Sequence, residues 1–213
     1  MTGSRMLALS QSDLDAVVEV HRTAFPGFLM TLLGPAFLRT YYLTVLECAD
    51  ALLIGQFDDA RRLQGFVAGF VKPATFYALL SRRRNRMLAV AALHLALRHT
   101  LWRRVLENAG STSRRAGDDR PGVAELASIA VLPSAQGRGY GRSLVEAFLS
   151  GARASGAQHV ELSTDADGND AVNRLYVKSG FKLFDARTRA GGRRMNHYTI
   201  NLASVAAGEQ GEV

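Results

Sequence analysis

No stretch constrains this chain more than residues 123–156, VAELASIAVLPSAQGRGYGRSLVEAFLSGARASG. The first nine residues read as a mostly apolar strand, and Pro133 stops its pairing just beyond. Gly137, Gly139 and Gly141 follow at alternate positions. Leu144, Val145, Phe148 and Leu149 then recur at helical spacing, the pattern of an amphipathic helix with one face inward. A second strand-like run, HVELST at 159–164, comes directly after. Strand, tight glycine loop, helix and strand in that order make a crossover unit, whose helix must cover one face of a sheet.

The rest of the chain supplies the other strands and the other face. Residues 6–9 are a short strand candidate. Ser10 can cap a helix that carries Leu14, Val17, Val18 and His21 at helical spacing and ends at Pro26 and Gly27. Pro35 opens PAFLRTYYLTVLEC at the favoured first-turn position. ALLIGQF and RLQGFVAGFV flank DDAR as a hairpin, and Pro73 closes its second strand. DGNDAVNRLYVKSG reads as a helix ended by Gly180. FKLFDA and MNHYTINL read as a final strand pair around RTRAGGR. The fold class expected is α/β: a mixed, mostly antiparallel sheet of about seven strands flanked by helices. Residues 1–205 are read as one domain and 206–213 as a frayed tail.

Between the third and fourth core strands the pattern is interrupted by residues 73–120. Residues 74–108 read as helix for about 35 residues, and MLAVAALHLAL is apolar on nearly every face, which predicts burial on several sides. Residues 81–120 contain ten arginines against Glu107, Asp118 and Asp119, so this window carries the whole net charge of +7. Four readings suit it: a helical lid with arginines toward water, a homodimer contact, a peripheral membrane contact through 82–104 including Trp102, or a surface for an acidic acceptor. Nucleic acid is not expected as a partner, because aromatics are not interleaved with the basic residues as a stacking platform requires. Cys48 is the only cysteine, which precludes an intrachain disulfide, and it reads as a buried inert thiol. The N-terminus lacks an apolar leader core, and no uncharged apolar run reaches the length of a spanning helix, so a cytoplasmic protein is expected. Five scattered histidines and one cysteine offer no metal-ligand spacing, so no metal is expected.

The glycine loop poses the chemical question. Backbone N–H groups at a helix start point outward unpaired, and the helix dipole there favours anions. Glycines let such a backbone approach a phosphate with no Cβ in the way. A P-loop is excluded, because no Lys-Ser/Thr follows the glycines. A dinucleotide fingerprint fits poorly, because Arg142 stands where its last glycine or alanine belongs. Two readings remain on the residues alone: a phosphate or pyrophosphate cradle, with Arg138 and Arg142 adding charge, and a glycine-rich turn that binds nothing.

Two motifs together resemble the GNAT superfamily of acyl-CoA-dependent N-acetyltransferases. Gln136, Gly139 and Gly141 fill [Q/R]-x-x-G-x-[G/A] between a strand and a helix. Asn169, Leu175, Tyr176, Gly180 and Phe181 fill N-x-x-x-x-x-L-Y-x-x-x-G-F. The resemblance covers 120–202 closely and the first 72 residues in pattern only, while 73–120 has no counterpart. It implies acetyl-CoA as cosubstrate, with its diphosphate on Gly137, Arg138, Gly139, Tyr140, Gly141 and Arg142 beside Gln136. The pantetheine arm would run along the strand at Ile129, Ala130 and Val131, which must splay from its neighbour. Tyr176 matches the general acid that protonates the departing thiolate. Asn169 would cap its helix, and Asn173 would reach the pantetheine arm.

The reaction so implied moves an acetyl group to a primary amine by direct attack in a ternary complex. The acceptor would be a small molecule such as an amino sugar or other amine. A protein N-terminus or lysine, and a non-catalytic acetyl-CoA sensor or assembly subunit, are the alternatives. The attacking amine must first lose a proton. Glu125, on the strand leading to the loop, is the candidate base, with His21, Asp165 and His197 behind it.

Overall fold

The computed structural model describes residues 5–96, 120–189 and 192–203. Seven strands form one sheet in the order β1-β2-β3-β4-β5-β7-β6: β1 (Arg5–Ala8), β2 (Ala51–Phe57), β3 (Leu63–Phe70), β4 (Val123–Val131), β5 (His159–Asp165), β6 (Lys182–Thr188) and β7 (Arg194–Asn201). Every neighbouring pair is antiparallel except β4–β5. This is the mixed, mostly antiparallel sheet expected, and the one parallel pair is the crossover unit. The β2–β3 turn places Arg61 at φ 58°, the left-handed conformation a tight hairpin turn demands.

Helices cover both faces. On one face lie α1 (Leu14–Ala24), the short α2 (Leu29–Leu32), α3 (Pro35–Glu47) and α4 (Pro73–Arg82). Their core joins Leu14, Val17, Leu38, Tyr42 and Phe76 to Phe66 and Phe70 of β3. Phe70 and Phe76 stack with centroids 3.7 Å apart, which locks the start of α4 to the sheet. On the other face lie α6 (Tyr140–Ala154) and α7 (Asp170–Lys178). Leu144, Val145, Phe148 and Leu149 of α6 pack there on Val67, Leu126, Val160 and Leu162. β3 thus sends Phe66 and Phe70 to one core and Val67 to the other, as strand alternation requires.

A bulge interrupts β4. Ala68 pairs with Ser128 and Gly69 with Leu126, so Ala127 is the extra residue. A side chain at Gly69 would meet the Glu125 carbonyl at 2.3 Å and the Phe148 ring at 2.5 Å, so only glycine fits.

The segment after β3 departs from the single long helix expected. It breaks at Arg83 into α4 and α5 (Arg84–Ala96). Arg83 turns inward, donating to Thr44 Oγ1 at 3.2 Å and pairing with Glu47 on α3, so it is not one of the arginines that face water. Burial on several sides also fails. α5 buries Met87 and Ala91, while Leu88 and Leu93 are 59% and 66% exposed. One side of α5 packs on α3, where the His94 ring sits 2.6 Å from where a Cβ at Gly34 would lie. Trp102 and the arginines from 98 to 115 lie outside the described residues, as does the expected tail at 206–213. Among the described residues, no helix is long and apolar enough to cross a membrane. Cys48 is buried, as expected, and burial pushes its thiol pKa up.

Candidate active site

Strands β4 and β5 pair for only four rungs, Val123↔His159 to Leu126↔Leu162. Beyond them the strands part. β4 continues to Val131 against β3 alone, and β5 continues to Asp165 against β7 alone. Residues 127–131 and 163–165 therefore turn facing edges toward each other without bonding, and an open wedge lies within the sheet. Ile129 and Val131 pack their side chains on the α6 core, and Ala130 packs on the opposite one. What these residues present to the wedge is backbone.

The glycine loop stands at the wide end of the wedge. Gln136 follows a single 3-10 turn over 133–135, and α6 begins at Tyr140. Gly137 and Gly139 have φ of 77° and 81°, a region that disfavours side chains, and a Cβ at either would meet no atom within 4 Å. Gly139 occupies the N-cap with no side-chain cap. Among the described residues, none accepts from the backbone N–H groups of 137–142. Arg138 is exposed, and Arg142 pairs with Glu146 at 2.7 Å. Gly141 is closed on its other side, where Leu175 of α7 comes within 3.3 Å of a would-be Cβ. The loop is thus a cradle open to solvent, lined by unpaired donors at a positive helix end, and a diphosphate suits it.

Tyr176 on α7 is 4% exposed and sits against Phe181 and Tyr198, at 5.7 and 6.0 Å between rings. Burial raises its phenol pKa well above the usual value, so at neutral pH it is a proton donor. One turn earlier, Asn173 fixes α7 to the sheet. Its Nδ2 donates to the Asp165 and Asn169 carbonyls, both at 2.9 Å, and its Oδ1 accepts from Asn196 Nδ2 at 2.9 Å and Tyr198 Oη at 2.8 Å. All four bonding positions of this amide are used, so contact with a pantetheine arm would require one to break. Asn169 stands at the N-cap of α7 but makes no side-chain cap bond. Its Nδ2 instead donates to Thr164 Oγ1 at 2.7 Å, tying the helix start to β5.

A cavity of about 270 Å³ lies across β4 and β5, on the face that α4 covers. Glu125, Ser163 and His197 line it, with Tyr77 of α4 on one side and Arg187 and Arg189 on the other. Tyr77 Oη donates to both Glu125 oxygens, at 3.1 and 3.0 Å. Ser163 Oγ and His197 Nδ1 are 2.7 Å apart. Glu161 is held by a two-bond pair with Arg120, at 2.7 and 2.5 Å. Of the four groups considered as base, only Glu125 and His197 line this cavity. Asp165 pairs with Arg193 through both oxygens, at 2.5 and 2.8 Å. His21 is 3% exposed and bonds Tyr42 Oη at 2.7 Å inside the core beneath α1 and α3, away from the cavity lining. Tyr77 and Ser163 belong to neither motif, and Tyr77 comes from the segment between β3 and β4.

The chain matches the profile of the Acetyltransferase (GNAT) family over residues 16–181. It is 45% identical over 64 residues to a mycothiol acetyltransferase of Nocardia farcinica, a match covering 30% of this chain and 21% of that protein. It is 27% identical over 133 residues to an aminoalkylphosphonate N-acetyltransferase of Salmonella typhimurium, covering 62% of this chain and 72% of that one. Against the mycothiol acetyltransferases the chain spans about a fifth of their length. The fold superposes on the ribosomal-protein-S18-alanine N-acetyltransferase of Escherichia coli with TM-score 0.60 at 15% identity, covering 94% of both chains. Salmonella typhimurium yncA, solved with its cofactor acetyl-CoA, superposes with TM-score 0.61 at 14% identity, covering 93% of this chain and 94% of that one. A family profile that covers most of the chain, together with the parted parallel strands and the glycine-loop helix start, shows that this protein belongs to the GNAT family of acetyltransferases.

Proposed function

We infer that this protein transfers an acetyl group from acetyl-CoA to the primary amine of a small molecule, by direct attack in a ternary complex. The observation that carries this reading is the parting of β4 and β5 after four rungs. It leaves free strand edges at 127–131 and 163–165, between the donor-lined cradle at 137–142 and Ser163, which lines a cavity that also contains the Glu125 carboxylate. Gln136, Gly137, Arg138, Gly139, Tyr140, Gly141 and Arg142 hold the diphosphate through backbone donors and positive charge. The free edge of Ile129, Ala130 and Val131 takes the pantetheine arm as a missing strand would. Asn169 and Asn173 hold α7 in place, and Tyr176 gives its proton to the departing thiolate. Glu125, the candidate base, is steadied by Tyr77 and draws the ammonium of the acceptor into the cavity, where it must give up a proton before it can attack. The attacking nitrogen then bonds the acetyl carbon as the carbon–sulfur bond breaks.

A small acceptor suits a cavity of about 270 Å³ walled by α4, which encloses a compact amine better than a polypeptide. Relatives named for mycothiol and for aminoalkylphosphonate point the same way. Calorimetric titration with acetyl-CoA, coenzyme A and NADH tests the cradle. Micromolar binding of the first two, and none of NADH, is expected; absence of acetyl-CoA binding overturns the reading. Thiol release from acetyl-CoA with glucosamine, ethanolamine, 2-aminoethylphosphonate and lysine then tests transfer. Thiol release that no amine stimulates, in a protein that binds acetyl-CoA, would instead identify a non-catalytic binder.

A further inference from the structure

The cavity contains a second polar grouping, separate from Glu125 and Tyr77. Ser163 of β5 and His197 of β7 are cross-strand partners in register, and Oγ lies 2.7 Å from Nδ1. On its other side His197 is the register partner of Asp185 on β6. The Asp185 carboxyl is held below the usual range, mainly by its hydrogen bond from Arg187 and in smaller part by attraction to His197. Ser163 is also the first β5 residue past the last rung with β4. A hydroxyl, an imidazole and a carboxylate therefore follow one another across three strands, starting at the point where the wedge opens into the cavity.

We propose that Ser163 and His197 form the proton-accepting pair for the acceptor amine, while Glu125 and Tyr77 bind it. This rests on the acetyl-transfer reading above. The reason is a match of chemistry to task. A base works best with a pKa near the working pH, and an ordinary imidazole titrates near 6.5 where an ordinary glutamate titrates near 4.3. Both oxygens of Glu125 already accept from Tyr77, which suits a carboxylate that orients an ammonium by charge. The ammonium passes its proton to Ser163 Oγ as the Ser163 hydroxyl proton moves to His197 Nδ1. This requires the resting imidazole to carry its proton on Nε2. The neutral amine attacks, Tyr176 gives its proton to the departing thiolate, the second proton of the attacking nitrogen restores the Tyr176 phenol, and the imidazolium returns its proton to solvent. Ser163 is then a catalytic residue, and His197 acts through it.

Charged groups of both signs surround His197. Asp185, Glu125 and the Glu161–Arg120 pair face it from β6, β4 and β5, and Arg187 and Arg189 line the far wall. Activity should fall as the pH drops and the imidazole takes a proton from solvent. The test measures kcat and KM between pH 5 and 9, by thiol release from acetyl-CoA with whichever of the four amines above is turned over. His197→Gln should lower kcat about 100-fold, the lower end of general-base effects, and remove the acid-side inflection, with KM for acetyl-CoA little changed. Ser163→Ala should act in the same direction, and Ser163→Thr, which restores a hydroxyl, should recover activity. Glu125→Gln should chiefly raise KM for the amine. A His197→Gln enzyme that keeps the wild-type pH profile overturns the proposal, whereas absence of transfer by the wild type defeats the functional reading itself. An acceptor-free measurement separates the two. Ring 15N shifts of His197, assigned with the Gln variant, should report the Nε2–H tautomer, and an Nδ1–H tautomer would overturn the relay.

Discussion

Replacing Asn173 by Ala tests whether the helix bearing Tyr176 is fixed by one amide. The substitution removes four hydrogen bonds of 2.8 to 2.9 Å. Their loss is not equally costly. The Asn169 carbonyl still accepts from the Asn173 backbone N–H, and Asn169 Nδ2 reaches the Asp165 carbonyl at 3.5 Å. Asn196 is half-buried and can turn to water. Tyr198 is 4% exposed, so its hydroxyl is left without the acceptor it has now. A buried polar group without a partner costs about 1–3 kcal/mol, and each ordinary bond contributes about 1 kcal/mol net. The expected loss is therefore about 2–3 kcal/mol, read as a lower urea midpoint at unchanged slope. Tyr198→Phe removes the orphaned hydroxyl, so the double variant should be less destabilised than the sum of the singles by about 1 kcal/mol. Asn173→Asp is the sharper control: it keeps an acceptor for Tyr198 but turns an oxygen toward two carbonyls, so it should destabilise as well. A loss below about 0.5 kcal/mol for Asn173→Ala, within the range of ordinary surface changes, would refute this account of how α7 is held.

Three further outcomes are expected. Burial lowers His21 to about 4 from its ordinary 6.5, so the unfolded chain binds the extra proton between those values. Stability should then be complete above pH 6.5 and fall by about 3 kcal/mol as the pH drops to 4; urea titrations across that range check it, and His21→Gln should flatten that part of the curve. Tyr176→Phe should lower kcat for acetyl transfer far more than it weakens acetyl-CoA binding; full activity would assign the ring to packing alone. Gly139→Val puts a branched side chain at φ 81° into the open cradle. Calorimetry should show coenzyme A binding weakened by at least about 100-fold, or about 2.8 kcal/mol, and unchanged affinity would remove the loop from the site.

The legible parts of the fold were those where local pattern and tertiary role agree. β4 matches residues 123–131 because Pro133 and the glycines close it off, and α6 follows the inward spacing of Leu144, Val145, Phe148 and Leu149. The burial of α5 is not legible in its sequence, because an all-round apolar composition says how greasy a helix is, not how many neighbours it has; here one face meets α3 and Leu88 and Leu93 face outward. The break at Arg83 depends on partners far back in the chain, Thr44 and Glu47, which local pattern cannot reveal. The same limit applies to the site. Glu125 was legible through its place on the strand that leads to the loop. Its partner Tyr77 is 48 residues away, and Ser163 meets His197 across 34 residues, through sheet register alone. Asn169 looked like a cap because its type and position suit one, but the Thr164 hydroxyl competes for its side chain and wins.

The short seam between β4 and β5 makes the sheet two leaves hinged at their narrow end. One leaf carries Glu125 and Tyr77, and the other carries Ser163, His197 and Asp185. The two halves of the cavity therefore belong to different leaves, joined there by four rungs and by the α6 crossover. Whatever fills the wedge acts as a spacer that sets the angle between the leaves, and hence the width of the pocket. Backbone amides bordering the wedge should exchange with deuterium faster than those in the four-rung seam, and occupancy of the wedge should slow them on both leaves together.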